Sequence, residues 1–145
     1  MKKLILFVLM MVLSTSRVQA LPKHNMHDKE FTEMEQKYGI SATFAKAVAI
    51  QESGWFTSNG YKNKNNPFGI TSKGKLKRFD SVDESIDYFG SLLSSDKYKN
   101  KNIDEIGKIY CPNDDKWARD VKKIMRMVGK WINRVIYLRK QQAIL

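Results

Sequence analysis

Glu52 is the residue in this chain best placed to do acid–base chemistry. Phe44, Val48 and Glu52 recur every four residues, so they share one helix face and the carboxyl continues an apolar stripe. Gly54 follows as a helix stop, so Glu52 falls in the last turn of its helix. Burial against apolar neighbours and the negative end of the helix dipole both disfavour the ionised form. A carboxyl that stays protonated near neutrality can give its proton to a leaving oxygen. The plainer reading is a surface Glu that ends a helix, and position alone leaves both open.

The segment after Glu52 is rich in aromatic and amide side chains. Trp55, Phe56, Tyr61 and Phe68 surround a polar run ending in Asn65-Asn66. Sugar rings stack their C–H faces on such rings, so an aromatic cluster beside an acid suits a glycan cleft. The alternative is that Trp55 and Phe68 are core residues that tie the segment down. Tyr110 and Trp117 flank Cys111-Pro112-Asn113-Asp114-Asp115-Lys116. Tyr110 can reach the cleft with its hydroxyl or anchor its own helix, and Trp117 suits either the core or a sugar. Cys111 is the sole cysteine, so no internal disulfide and no thiolate-built zinc site is possible. As a nucleophile it lacks a histidine partner, because His24 and His27 both fall in the N-terminal lead-in. Those two histidines read as a solvated linker, with no metal and no cofactor expected.

These residues need a scaffold. Glu30 to Tyr38 carries Phe31, Met34 and Tyr38 at helical spacing. Ser41 caps a second helix whose apolar face is Phe44, Ala45, Val48 and Ala49. Residues 58–66 have loop composition. Phe68–Thr71 and Leu76–Phe79 can pair as a short hairpin across Lys73-Gly74. Ser81-Val82-Asp83-Glu84 has the form of a capping box, starting a helix with Val82, Ile86, Phe89 and Leu93 inward. A short helix around Ile103, Ile106 and Ile109 ends before Pro112. The last helix starts near Asp114 or Asp115 and turns Trp117, Val121, Ile124, Met125, Val128, Trp131, Ile132, Val135 and Leu138 inward. Its Lys and Arg side chains form a solvated outer face. The expected fold is mainly helical (α+β, lysozyme-like), with a small, shortened β-lobe beside the active-site cleft.

The ends and the charge bound the setting. Lys2-Lys3, the apolar run Leu4–Leu13 and a polar stretch ending at Ala20 have the form of a signal peptide over residues 1–20. Ten apolar residues are too few to span a bilayer comfortably, although retention as an N-terminal anchor stays open. Residues 21–29 are expected to form a flexible lead-in and 30–145 the domain that carries the candidate site. Three of the 26 basic residues and none of the 15 acidic ones lie in the first twenty, so residues 21–145 carry +8. A basic exported chain suits a polyanionic envelope. Nucleic acid is disfavoured, since no binding motif is present, and no stable membrane insertion is expected after signal cleavage.

Several ordered segments resemble the glucosaminidase-type peptidoglycan hydrolases, glycoside hydrolase family seventy-three. They are Gly39-Ile40, Ala45, Ala47, Glu52-Ser53-Gly54-Trp55, Ser58 and Asn65-Asn66-Pro67-Phe68-Gly69-Ile70, then Arg78 to Tyr88 and Tyr110 to Val121. The resemblance implies a lysozyme-like fold and cleavage of cell-wall glycan after N-acetylglucosamine. It also implies Glu52 as general acid, with Tyr110 lining the site. Trp55, Tyr61, Asn65, Asn66, Phe68 and Trp117 are the expected substrate-binding groups.

Two departures stand out. Phe56 replaces a glycine after Trp55, which is expected to narrow or reshape the cleft. The segment between Ile70 and Arg78 is short where relatives carry a second carboxylate, leaving Asp80, then Asp83, as candidates. Without either, the substrate's own N-acetyl group can serve as nucleophile, or a water can be held by Asn65, Asn66 and Tyr110. Two other functions stay open: a lytic transglycosylase of the same fold, or a non-catalytic wall-binding or assembly factor. An envelope protein partner is possible, its identity unknown.

Overall fold

The computed structural model describes residues 26–142. The expected signal peptide and most of the lead-in lie outside that range, as does His24.

Six helices and one two-stranded ribbon make up the described chain. Helix α1 is Asp28–Tyr38 and α2 is Ala42–Ser53. The link between them is short because Gly39 (φ 69°) closes α1 by returning its N–H to Glu35, and Ser41 caps α2 by accepting from Phe44 N. Every residue from Phe44 to Ile50 is buried, so α2 is the central helix. One of them is Lys46, whose ammonium emerges against Asp28 of α1. Helix α4, Val82–Ser94, packs on α1. Helix α5, Ile103–Tyr110, and helix α6, Trp117–Gln142, pack together, and α6 lies along α2. The core joins Phe31, Met34, Val48, Phe68, Phe89, Trp117 and Val121. The domain is mainly helical, the lysozyme-like outline that the residue pattern implied.

Four local expectations are corrected. Residues 58–66 are not all loop: α3, Asn59–Lys64, forms because Ser58 accepts from Tyr61 N and Asn65 ends the turn at φ 51°. The ribbon is shorter than expected, with β1 (Thr71–Ser72) paired antiparallel to β2 (Lys75–Leu76). Lys73 and Gly74 at its tip both have positive φ, as a tight type I′ hairpin requires. Glu84 does not close its box on Ser81; its carboxylate accepts from Asp80 N, one residue earlier. The full capping box belongs instead to α5, between Asn102 and Glu105.

The inward face of α6 is the fourth correction. Trp117, Val121, Ile124 and Val128 are buried as expected, whereas Ile132 and Leu138 are exposed. The core ends at Val128, and the helix runs on past it by about 20 Å at 1.5 Å per residue. Among the described residues, no helix is long and apolar enough to cross a membrane.

Candidate active site

The site is built where α2 ends. Gly54, Trp55 and Phe56 all have φ between 55° and 59°, three left-handed residues in a row. Such a turn is costly for a side chain with Cβ, about 1–2 kcal/mol per residue, and it is held by Ser53. The Ser53 hydroxyl accepts from Phe56 N, and its carbonyl accepts from Thr57 N and Ser58 N. Gly54 N and Trp55 N both return to the Ile50 carbonyl. The chain therefore leaves α2 sharply, with Glu52 in the last helical turn and Trp55 41% exposed just beyond it.

Phe56 does not narrow the cleft, contrary to expectation. It is buried, packing on the rings of His27 and Tyr61 at 5.7 and 5.3 Å. His27 is accordingly no solvated linker residue. It is half-buried and bonded to the Tyr61 hydroxyl at 3.0 Å. The φ of Phe56 explains why glycine is comfortable there and what replaces that comfort here. Phe56→Gly relieves the backbone but removes its ring contacts, and burying a Phe is worth roughly 1.5–3 kcal/mol. The variant is expected to melt several degrees lower; a rise in melting temperature would show that the strained backbone outweighs the packing.

Glu52 itself is mostly shielded. Burial raises its pKa above the usual carboxylate range, the Trp117 indole partly opposes this, and the like charge of Asp114 adds to the rise. The indole Nε1–H donates to Glu52 Oε1 at 2.6 Å. On the other oxygen, a Cβ at Gly69 would lie 3.3 Å from Oε2, and Gly69 adopts φ +66°. Gly69 thus keeps a side chain from crowding that oxygen. Trp117 reaches Glu52 because Gly107 of α5 has no side chain: a Cβ there would press on the indole at 2.9 Å.

The other expected site residues divide by depth. Trp117, Phe68 and Asn66 are buried, at 1%, 0% and 1% exposure, so they lie beneath the surface a sugar would touch. Phe68 stacks on Phe89 at 4.1 Å with planes 3° apart. Asn66 donates to the carbonyls of Ile70 and Lys77 and accepts from Ile70 N. Asn65 donates to the carbonyls of Phe79 and Asp80. Tyr110 donates to the Phe68 carbonyl at 2.7 Å. Its own pKa lies well above the ordinary phenol range, chiefly through burial and then through the charge of Glu52. The amide N–H groups of Asn65 and Asn66 and the Tyr110 hydroxyl proton are thus committed to backbone carbonyls. Asp80 is exposed at the mouth of the lobe, and neither it nor Asp83 is among the charges that bear on Glu52.

Three residues escaped the sequence reading as site components: Ser53, Gly69 and Asp114. Ser53 and Gly69 carry no chemistry of their own, and Asp114 read as a helix-start residue. Among the described residues one group has ligand spacing for a cation: His27, Glu30 and Asp83 bring one donor atom each within 4.8 Å. It involves none of the groups around Glu52. Cys111 has its pKa raised by burial and then by Glu52 and Asp114, which disfavours a thiolate nucleophile.

A family profile described as mannosyl-glycoprotein endo-beta-N-acetylglucosaminidase matches residues 28–130, the span that contains all of these groups except His27. The chain belongs to the glucosaminidase family. Two similar proteins, both from Streptococcus pneumoniae (serotype 4 strain TIGR4 and strain R6), carry the description "Putative endo-beta-N-acetylglucosaminidase". Each is 28% identical over 116 residues, covering 69% of this chain and 17% or 16% of its own length. The chain thus spans about a sixth of the curated relatives it matches.

Within the family frame, the Trp117–Glu52 contact makes a direct prediction. Trp117→Phe keeps an aromatic core residue but removes the donor that favours the ionised carboxylate. Glu52 then holds its proton to higher pH, so the alkaline limb of the activity profile is expected to move up. Stability falls by about 1–3 kcal/mol from the lost hydrogen bond and the residual void. An unmoved alkaline limb would show that the indole does not govern this carboxyl.

Proposed function

We propose that the chain is an exported peptidoglycan hydrolase that cleaves the β-1,4 bond after N-acetylglucosamine, with Glu52 as general acid. One observation carries the reading: a shielded carboxyl at the end of the central helix with a raised pKa, one fixed indole donor on Oε1 and a glycine in place of a side chain beside Oε2. A proton held there can be given to the departing sugar oxygen, and the resulting carboxylate can then take a proton from the attacking water. Trp55 supplies an exposed ring for a sugar face. Tyr61 is half-buried and offers an edge. Asn65, Asn66, Phe68, Tyr110 and Trp117 hold these groups in place from beneath. The basic surface, including exposed Lys123, Arg126, Lys130 and Arg134 on α6, suits an anionic wall.

The deciding experiment incubates residues 21–145 with purified peptidoglycan, reduces the products and identifies their ends by mass spectrometry. Reduced N-acetylglucosamine ends are expected. Anhydromuramic ends would assign a lytic transglycosylase instead, and intact glycan that still binds the protein would assign a wall-binding factor.

A further inference from the structure

A second group of side chains gathers where α1 and α4 begin. His27 precedes α1, Glu30 lies in the first turn of α1 and Asp83 in the first turn of α4. One donor atom of each lies within 4.8 Å of the other two. Helix-start duty does not account for them. Ser81 caps α4 by accepting from Glu84 N, and the Glu84 carboxylate takes Asp80 N, so Asp83 is left over. His27 makes no side-chain cap on α1. Among the described residues, neither Glu30 nor Asp83 makes an ion pair or a side-chain hydrogen bond. The lysines of α1 and buried Lys46 are engaged elsewhere: Lys29 with Glu33, Lys37 with Asp87 and Lys46 with Asp28. What remains is two carboxylates and an imidazole with converging donor atoms and no lysine or arginine to join them.

We propose that His27, Glu30 and Asp83 form a binding site for a divalent zinc ion, with water completing its coordination. One imidazole and two carboxylates are a donor set that zinc takes, three protein ligands leaving a fourth position for water. Calcium and magnesium prefer oxygen ligands alone and more of them, whereas imidazole favours zinc and its neighbours. Zinc bonds of about 2.0–2.2 Å set tetrahedral ligand atoms roughly 3.5 Å apart. The three side chains must therefore draw in slightly, and exposed Asp83 has room to turn. The imidazole is already fixed: its Nε2 lies 3.0 Å from the Tyr61 hydroxyl, and its ring meets Phe56 and Tyr61 edge on. A metal-bound imidazole is characteristically oriented by such a partner on its other nitrogen. Glu30 and Asp83 also open onto a groove of about 390 Å³ between α1 and α4. Its walls carry Glu33, Glu84 and Asp87 against one lysine, Lys37, an acidic recess in a chain of net charge +11. Such a recess concentrates cations. The positive ends of α1 and α4 oppose a cation here, but each amounts to about half a charge against two full carboxylates. The ion ties the start of α1 to the start of α4. Through the His27 ring it also braces Phe56 in the left-handed turn that follows Glu52. It is a staple and takes no part in the glycan chemistry.

The test is calorimetric titration of the purified, chelator-stripped protein with Zn²⁺ alone, paired with melting temperatures at rising Zn²⁺. One equivalent is expected to bind, and the melting temperature should climb with free Zn²⁺, as it must for an ion held by the folded state only. Asp83→Asn and His27→Gln should each weaken binding by at least about 10-fold, the scale on which even an outer partner of a metal site acts. Asp83 is exposed, so its variant should melt with the wild type once metal is removed. That variant carries the test if His27→Gln loosens the packing on Phe56. His24→Ala and Cys111→Ser should bind as the wild type does. Absence of saturable Zn²⁺ binding would overturn the proposal, as would an affinity unchanged in Asp83→Asn. Loss of binding in His24→Ala or Cys111→Ser would place the ion elsewhere and overturn it too. Ca²⁺ bound as tightly as Zn²⁺ would show an acidic groove without a zinc site. None of these outcomes touches the glucosaminidase reading, which the glycan products decide.

Discussion

Glu52→Gln is expected to abolish measurable glycan cleavage, a loss of about 10²–10⁴-fold, while leaving the fold at least as stable as the wild type. Glutamine occupies the same volume and its amide oxygen still accepts from the Trp117 indole, so the packing is kept. The proton that the leaving oxygen needs is gone. The stability half of the prediction follows from the raised pKa. The native state holds the Glu52 proton more tightly than the unfolded chain does. Below the unfolded pKa both states are protonated and burial costs little. As pH rises from there to the folded pKa, the unfolded state loses its proton first, and wild-type stability falls. The glutamine variant has no such loss. Melting temperatures measured from pH 4 to 8 should therefore converge at the acid end and diverge in favour of the variant as pH rises. A variant that melts lower at pH 8 than the wild type would mean that the ionised carboxylate stabilises the fold, against the role of a shielded acid.

That pairing of lost activity with retained stability is what a costly placement predicts. An acidic side chain at the negative end of a helix, against apolar neighbours, opposes two general preferences at once. The cost was readable in the sequence, because the spacing Phe44, Val48, Glu52 and the stop at Gly54 are local features. The helices were legible for the same reason: Ser41, Gly39, Ser81 and the 3.6-residue periodicity act within a few residues. The depth of the aromatic and amide groups was not. Asn65 and Asn66 look like solvent-loving loop residues, and only the return of the chain at residues 70–80 supplies the carbonyls that their side chains bind. Trp117 reads equally as core or as sugar platform until Gly107 lets its ring in and the indole meets a residue 65 positions away. Left-handed Phe56 defied the usual preference for glycine because its compensation, the rings of His27 and Tyr61, comes from other elements. The outward run of α6 beyond Val128 was missed because an apolar stripe says which face is greasy, not how far the core extends to meet it.

Asn66→Ala is expected to damage the site as deeply as the fold. The Asn66 side chain closes residues 66–70 and 77 into one unit with two donated hydrogen bonds and one accepted. Alanine leaves the buried Ile70 N–H without its acceptor, takes its donor from the part-buried Lys77 carbonyl, and leaves the Ile70 carbonyl with Lys77 N alone. At about 1–3 kcal/mol for each orphaned buried group, the loss is on the order of 3 kcal/mol or more. That is enough to lower the melting temperature by about 10 °C. The same segment carries Phe68, whose carbonyl takes the Tyr110 hydroxyl, and Gly69, which borders Glu52 Oε2. Activity should therefore fall well below what the folded fraction accounts for, even at temperatures where the variant is fully folded. Asn66→Asp sharpens the test. It keeps the acceptor for Ile70 N but sets a carboxylate against two carbonyl oxygens, so it should be no better than alanine. If Asn66→Asp retains wild-type stability and rate, the amide is not the clamp, and the segment beside Glu52 is held by the Phe68 stack on Phe89 and the Tyr110 hydroxyl on the Phe68 carbonyl.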